Sequence, residues 1–400
     1  MDSTGRKLSL RRLPRPPQTG QTELFERGDY LFNGEMLLAC VVGWKGAELD
    51  EATSRRNDYR RQLKKKKSGG FRVLHVPHEK LKEFQGRFLH YFLYRMLGRG
   101  WIDRRIKGFI PKSGYVKNAK FHARYDANFV VRLDLKDAFP SVKATHVRAA
   151  LEKILEGELK CYEAGEAAIR NSSNAPFPFS NPLLFSWRRA KWFRKAFKRM
   201  KPWRGLDTRA VIREFLDALL PLITYRGQLP QGARTSPFLL NIVLSHYGIP
   251  EKVFRWCRSR GDDVRVTLYA DDFTISSATP ISMEKVEELM ALIEADGVFR
   301  FNRRKTSLCD RRQGAPLVTG LRLVRIPQGS GSKRLAGDTV SVPQRKIRLS
   351  RGLIHRAIRE EKLRVKVTGY IDYLKGVYGP VLPNQVAVPY RQLQAVAGEQ

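Results

Sequence analysis

The sequence predicts an α+β fold, and three observations carry that prediction. Short β-like runs stand beside turn signals. "VRVTLYADDFTISS", residues 264–277, reads as strand, turn, strand, and "FRVLHV", residues 71–76, alternates like a strand. Longer segments repeat apolar residues at helical spacing, as Leu81, Phe84, Phe88, Phe92 and Met96 do. Hydrophobic residues make up 42% of the 400, enough to bury a core and to exclude a disordered chain. The length suits one large domain or two to three smaller ones.

The elements follow in order. Residues 1–22 are basic and Pro-rich, with no apolar run after the charges, so they read as a disordered tail rather than a signal peptide. Helical patterning returns from about residue 22 to 61. Its most apolar stretch, "LFNGEMLLACVVGW", is broken by Asn33, Gly34 and Glu35 and is too short to cross a bilayer. A soluble, cytoplasmic protein without membrane partners is expected. "LKKKKSGGFRVLHVP" is a hairpin turning at Gly69 and Gly70. The helix with Leu81 to Met96 stops at Gly98 and Gly100. "FVVRLDLKDAFPSV" is a strand that ends at Asp134 and enters a turn.

Residues 156–206 read as an insertion: a loop, "NSSNAPFPFSNP", then a basic helix over 187–203. Phe193, Phe197 and Met200 recur there at helical spacing, among Arg188, Lys191, Arg194 and Lys198. "QLPQGARTSPFLLNIVL" is a Pro/Gly turn followed by an apolar helix that starts at Thr235-Ser236-Pro237. "SMEKVEELMALIEADG" is an amphipathic helix with glutamates near its start, where the helix dipole favours them. In "QRKIRLSRGLIHRAIREEKLRVK", Ile347, Ile354 and Ile358 line one side and basic residues cover the rest. No internal repeat is present.

The charge is extreme: 75 Lys and Arg against 39 Asp and Glu, a net +36. A field of that sign concentrates polyanions, nucleic acid before an anionic membrane surface. Cys40, Cys161, Cys257 and Cys309 lie far apart with no CxxC, so they read as reduced thiols rather than a zinc site.

Against that charge stand two adjacent carboxylates, Asp271 and Asp272, at the tip of a predicted hairpin. Alone, the pair is equally well a tight turn, which favours aspartate. A third, Asp134, ends another strand. Neighbouring carboxylates repel and cost desolvation energy unless positive charge sits on them. Three at strand ends suggest a site for two Mg²⁺ ions, a pair suited to phosphoryl transfer.

"LDLKDAFPS", "LPQGARTSPFLLN" and "YADD", in that order, resemble the palm motifs of reverse transcriptases. "KKKKSGGFRVLHVP" resembles that family's fingers hairpin, "FNRRKTSL" the segment after the active-site hairpin, and "LVTGLRL" its primer grip. The resemblance covers about residues 60–375. "NAKFH", residues 118–122, and "VTG", residues 318–320, are similar to two signatures of bacterial retron reverse transcriptases. The departures are the insertion, the N-terminal extension, and Arg234 where the family usually has Pro.

The resemblance implies a right-hand polymerase: N-terminal region and fingers over 23–128, palm over 129–325 with the insertion, thumb and tail over 326–400. It implies that Asp134 and Asp271 hold two Mg²⁺ ions, with Asp272 completing the cluster and the Leu135 carbonyl adding a ligand. Phe139 becomes the steric gate against a ribose 2′-hydroxyl, or else a core Phe. Arg72 and a lysine among Lys64, Lys65, Lys66 and Lys67 clamp the triphosphate, unless the lysines are a solvated turn. Gln231 sits near the nucleotide. Lys305 donates a proton to pyrophosphate or is a plain basic strand end. Asn118 and His122, four apart on one helix face, read RNA or form a local packing pair. On their charge, the helix carrying Arg345, Arg348, Arg351 and Arg356 and the one over 187–203 are candidates for RNA-backbone contact, with Trp187, Trp192 and Trp203 as stacking surfaces; the alternative, a core stripe with solvated lysines, explains the aromatics but not the charge density.

The implied activity is reverse transcription of a cognate structured non-coding RNA. dNTPs are the substrates, the primer is an RNA 2′-hydroxyl, and the branched msDNA product stays bound. The setting is anti-phage defence with a separate effector protein. No RNase H-like domain is evident, so template removal is expected of other proteins. The alternatives are another bacterial reverse transcriptase, group II intron-like or defence-associated, and a non-catalytic RNA-binding protein on a polymerase fold.

Overall fold

The computed structural model describes residues 34–66, 69–97, 99–123, 127–171, 208–259, 264–326 and 337–398. Helices α1 (Gly34–Val42) and α2 (Gly46–Ser54) precede a hairpin of β1 (Tyr59–Lys65) and β2 (Phe71–Pro77). Then come α3 (Glu79–Tyr91), α4 (Tyr115–Ala123), β3 (Phe129–Asp134), α5 (Ala138–Ser141) and the long α6 (Ala144–Asn171). α7 (Thr208–Ile223), α8 (Ser236–His246) and α9 (Ile249–Arg258) lead into a second hairpin, β4 (Val264–Tyr269) and β5 (Asp272–Ser277). α10 (Met283–Glu294), β6 (Ser307–Asp310), β7 (Leu317–Val318), β8 (Leu321–Ile326), β9 (Gly337–Ser341), α11 (Gln344–Arg359), α12 (Arg364–Tyr378) and α13 (Asn384–Gly398) complete the order.

The predicted α+β class holds, with antiparallel sheets. The central sheet runs β4-β5-β3-β6, so β3 enters beside the second hairpin and not at an edge. Register sorts its two faces. Val131 and Leu133 pair with Ile275 and Phe273, which pair with Val266 and Leu268, and all six are buried in one apolar core. That core also takes Phe84, Phe88, Phe215 and Phe238 from the helices. On the opposite face Val130 joins a second core built from Val318, Leu321, Leu323, Ile347, Ile354, Val367 and Ile371, with Ala119 and Ala123 of α4 between. The sheet is thus covered on both sides, which is why β5 carries Thr274, Ser276 and Ser277 buried as well as Phe273 and Ile275.

Two expectations need adjustment. The apolar period of Leu81 to Met96 outlasts its α-helix: α3 ends at Tyr91, and Leu93–Met96 tighten into a 3-10 turn while Phe92, Leu93 and Met96 stay buried. α6 continues to Asn171, carrying regular helix into the first part of the expected insertion. The tail at 1–22, Lys67 and the basic helix at 187–203, with Arg188, Lys191, Arg194, Lys198 and the three tryptophans, lie outside the described residues. Among the described residues no helix is long and apolar enough to cross a membrane.

Candidate active site

Strand pairing brings the three predicted carboxylates together. Asp134 is opposite Asp272 in the β3–β5 register, and the Leu135 N–H donates to the Asp271 carbonyl at 2.9 Å. Ala270 makes the turn at φ 62°. The 300–305 segment closes the other side. Asn302 N–H donates to the Asp134 carbonyl at 2.7 Å, and Lys136 N–H to the Arg300 carbonyl at 2.7 Å. Lys305 Nζ then reaches both Asp134 oxygens, at 3.0 and 2.8 Å.

The electrostatics follow from this crowding. Burial, then the charge of Asp134, raises the Asp271 pKa, while Lys305 and Arg72 oppose the rise. Asp272 is pushed up to about 6 by burial, then by Asp271 and Asp134, with Arg132 and Lys305 opposing. Among the described residues no three acidic, His or Cys side chains form a ready-made metal cage. The donor chemistry nonetheless fits hard divalent cations: three carboxylates whose mutual repulsion such ions would relieve.

Of the predicted nucleotide-side residues, Arg72 lies close enough for its charge to act on Asp271. Lys65 and Arg72 are exposed near the tip of the β1–β2 hairpin, where Lys64 pairs with Arg72 and Lys65 with Phe71. That hairpin is fixed to the loop carrying Gln231, because His75 N–H donates to the Gln231 carbonyl at 2.8 Å. A Cβ on Gly232 would stand 2.9 Å from the His75 carbonyl, so this approach needs glycine, and φ 125° there needs it too. Phe139 is half-buried on α5 and packs on the first core.

Sequence reasoning missed Gln85. It is fully buried on α3, donates to the Leu222 carbonyl at 3.0 Å and the Tyr59 hydroxyl at 3.2 Å, and accepts from Arg234 N–H at 3.2 Å. One side chain therefore ties α7, the first hairpin and the Gln231 loop together.

Asn118 and His122 require a correction. Both are completely buried, so as folded they do not present an RNA-contacting surface. His122 Nδ1 lies 2.7 Å from Ser276 Oγ and Nε2 2.8 Å from Thr267 Oγ1, which straps β5 to β4. Arg345, Arg348, Arg351 and Arg356 are all exposed on α11, opposite Ile347 and Ile354; Arg356 is paired with Glu360 at 3.2 Å.

Comparison with known proteins agrees with these motifs. No family model matches the chain. It is 26% identical over 313 residues to the retron Mx65 reverse transcriptase of Myxococcus xanthus, covering 78% of this chain and 59% of that protein. It is 23% identical over 322 residues to the retron Ec73 reverse transcriptase of Escherichia coli, covering 78% and 81%. A third relative, the retron Ec86 reverse transcriptase of Escherichia coli, is 24% identical over 264 residues, covering 66% and 62%. The chain thus spans under two thirds of the length of two of these three relatives. Among solved structures, a Candida albicans telomerase in complex with a fragment of telomeric RNA aligns at TM-score 0.41 and 13% identity, over 84% of this chain and 61% of that one. A Candida tropicalis telomerase, likewise with RNA, aligns at 0.41 and 13%, over 86% and 55%. The class to which sequence likeness points is the reverse transcriptase. Within that class the chain is similar to retron reverse transcriptases, the group its two short signatures implied.

Proposed function

We propose that this protein is an RNA-directed DNA polymerase of the retron type. The reading is carried by one observation: Asp134, Asp271 and Asp272 converge at one sheet end, ringed by Lys305, Arg132 and Arg72. In the proposed reaction the 3′-hydroxyl of the growing strand gives up its proton to solvent as its oxygen bonds to the α-phosphorus of a dNTP. The bond to the bridging oxygen breaks, and pyrophosphate leaves with its electron pair. The first primer oxygen would be a 2′-hydroxyl of the cognate RNA, giving branched msDNA. Two Mg²⁺ ions held by the three carboxylates and the Leu135 carbonyl would supply Lewis acidity at the attacking and leaving oxygens.

The chain's own residues do the rest. Lys65 and Arg72 place positive charge where the triphosphate would lie and meet the charge that develops on its leaving oxygens. Gln231, held by His75, orients the nucleotide. The Phe139 ring closes the space a 2′-hydroxyl would need. Lys305, bonded to both Asp134 oxygens, would donate a proton to the leaving pyrophosphate. Fingers (23–128), palm (129–325) and thumb (326–400) are the proposed divisions, and the second apolar core joins all three, since it takes Ala119, Val130 and Ile347 together. The exposed arginines of α11, together with the basic segment at 187–203, would follow the RNA backbone. Anti-phage defence in the bacterial cytoplasm, with a separate effector protein, is the proposed setting.

Purifying the protein from cells and sequencing its bound nucleic acid tests the retron assignment. A single short RNA joined through a 2′–5′ linkage to DNA is the expected result. Unbranched or heterogeneous nucleic acid from a protein that still polymerises DNA would replace the retron reading with that of another reverse transcriptase.

A further inference from the structure

Phe109 has the backbone of a residue held for a purpose. It sits at φ 58° and the residue is 41% exposed. A bulky side chain at positive φ is strained, and so exposed a residue recovers little through burial. The surroundings nevertheless fix it. Its neighbour Gly108 lies against the catalytic turn, where a Cβ would overlap the amide nitrogen of Ala270. The Gly108 carbonyl accepts from the buried Asn241 Nδ2 at 2.9 Å. Lys107 N–H donates to the Leu268 carbonyl at 2.7 Å, Leu268 N–H donates to the Arg105 carbonyl at 3.0 Å, and Ile106 bridges Leu268 in parallel. Phe109 is therefore anchored to the strand that ends in the Asp271–Asp272 turn.

From that anchor its ring meets Phe139 edge to face, with centroids 6.4 Å apart. Phe139 rides on the four-residue α5, which opens at Asp137 with φ 48°. So short a helix gives the ring little stiffness of its own. Core packing holds one side of Phe139, and Phe109 holds another.

We propose that Phe109 is a positioning residue for Phe139, bracing the gate ring and so setting how strongly nucleotides with a 2′-hydroxyl are rejected. The proposal rests on the reading of Phe139 as the sugar gate. It also links the gate to the metal-binding turn, since the same short segment grips both.

The test uses the full chain in RNA-templated primer extension, with kcat/KM measured for a dNTP and the matching rNTP. Phe109→Gly removes the ring at a backbone position that suits glycine, and Phe109→Leu keeps apolar bulk without the aromatic edge. Phe109→Gly is expected to lower the dNTP preference about tenfold, the size of one lost edge-to-face contact, with kcat for the dNTP within about threefold. Phe109→Leu is expected to fall between Phe109→Gly and the unmodified chain. On a Phe139→Ala background, Phe109→Gly should change the preference less than about twofold, because the residues act through one another.

An unchanged preference in Phe109→Gly and Phe109→Leu, while Phe139→Ala lowers it, overturns the proposal. So do full and additive effects in the double variant. Unchanged sugar selection in Phe139→Ala overturns the gate reading and this proposal with it. No DNA product from the unmodified protein overturns the polymerase reading, a result told apart by the lack of any extension.

Discussion

Asp272 binds its proton more tightly in the folded chain than in the unfolded one, because burial and two neighbouring carboxylates oppose its ionisation. Its charge therefore destabilises the metal-free fold as pH rises from 3.8 through about 6, and fully above that. Asp272→Asn should stabilise the fold in chelator at pH 7–8 by about 1 kcal/mol after solvent screening, read as a higher melting temperature, and the gain should vanish below about pH 4. Added Mg²⁺ should stabilise the unmodified chain more than the variant. His122 behaves oppositely. Burial, then Arg265 and Lys107, push it down to about 3, so its imidazole stays neutral in the fold. Its share of stability is lost as pH falls below 6.5 toward 3. His122→Leu should remove that acid sensitivity and cost about 2–4 kcal/mol by denaturant unfolding, since it leaves two buried hydroxyls unpaired. The sequence made the three aspartates legible only in combination: a pair at a hairpin tip is equally well a tight turn, and it is the third carboxylate ending another strand that sets them apart. It made Asn118 and His122 legible as a pair but not as buried: burial depends on how α4 docks across β4 and β5, and spacing along a helix carries no record of that.

At the scale of elements, the first hairpin and the Gln231 loop behave as one unit, and Gln85 is the joint. Gln85→Leu removes the partner of the buried Leu222 carbonyl and of the part-buried Arg234 N–H. It should cost about 2–3 kcal/mol in urea melts and raise the KM for dNTP more than it lowers kcat, because the proposed clamp of Lys65 and Arg72 loses its seat. Equal KM values would show that the hairpin is positioned otherwise. The hairpins themselves were readable from alternation and from Gly69-Gly70. Gln85 was not, because one glutamine beside a Leu81–Phe84–Phe88 stripe looks like a solvated neighbour until its long-range partners are seen. Phe109 was equally silent, since a backbone dihedral leaves no mark on a non-glycine residue.

At the scale of the whole molecule, the net charge of +36 and the exposed arginines of α11 predict that the proposed nucleic-acid binding depends strongly on salt. Arg348→Ala and Arg351→Ala should each weaken RNA binding about uniformly across sequences and reduce the salt slope by about one, as measured by titration at several ionic strengths. An unchanged slope would remove α11 from the RNA path. The α+β class was legible because strand and helix periods are local properties. The division into two apolar cores was not: adjacent Val130 and Val131 show that both faces of β3 are apolar, but not which distant elements cover each face.

The convergence of Asp134 and Asp272 on one catalytic centre is tested most directly by primer extension on an RNA template. The assay compares the unmodified chain with Asp134→Asn and Asp272→Asn, with RNA binding measured in parallel. Mg²⁺-dependent extension that drops at least about a thousandfold in each variant, with RNA affinity held, is the result expected. Extension by either variant at the unmodified rate would contradict it.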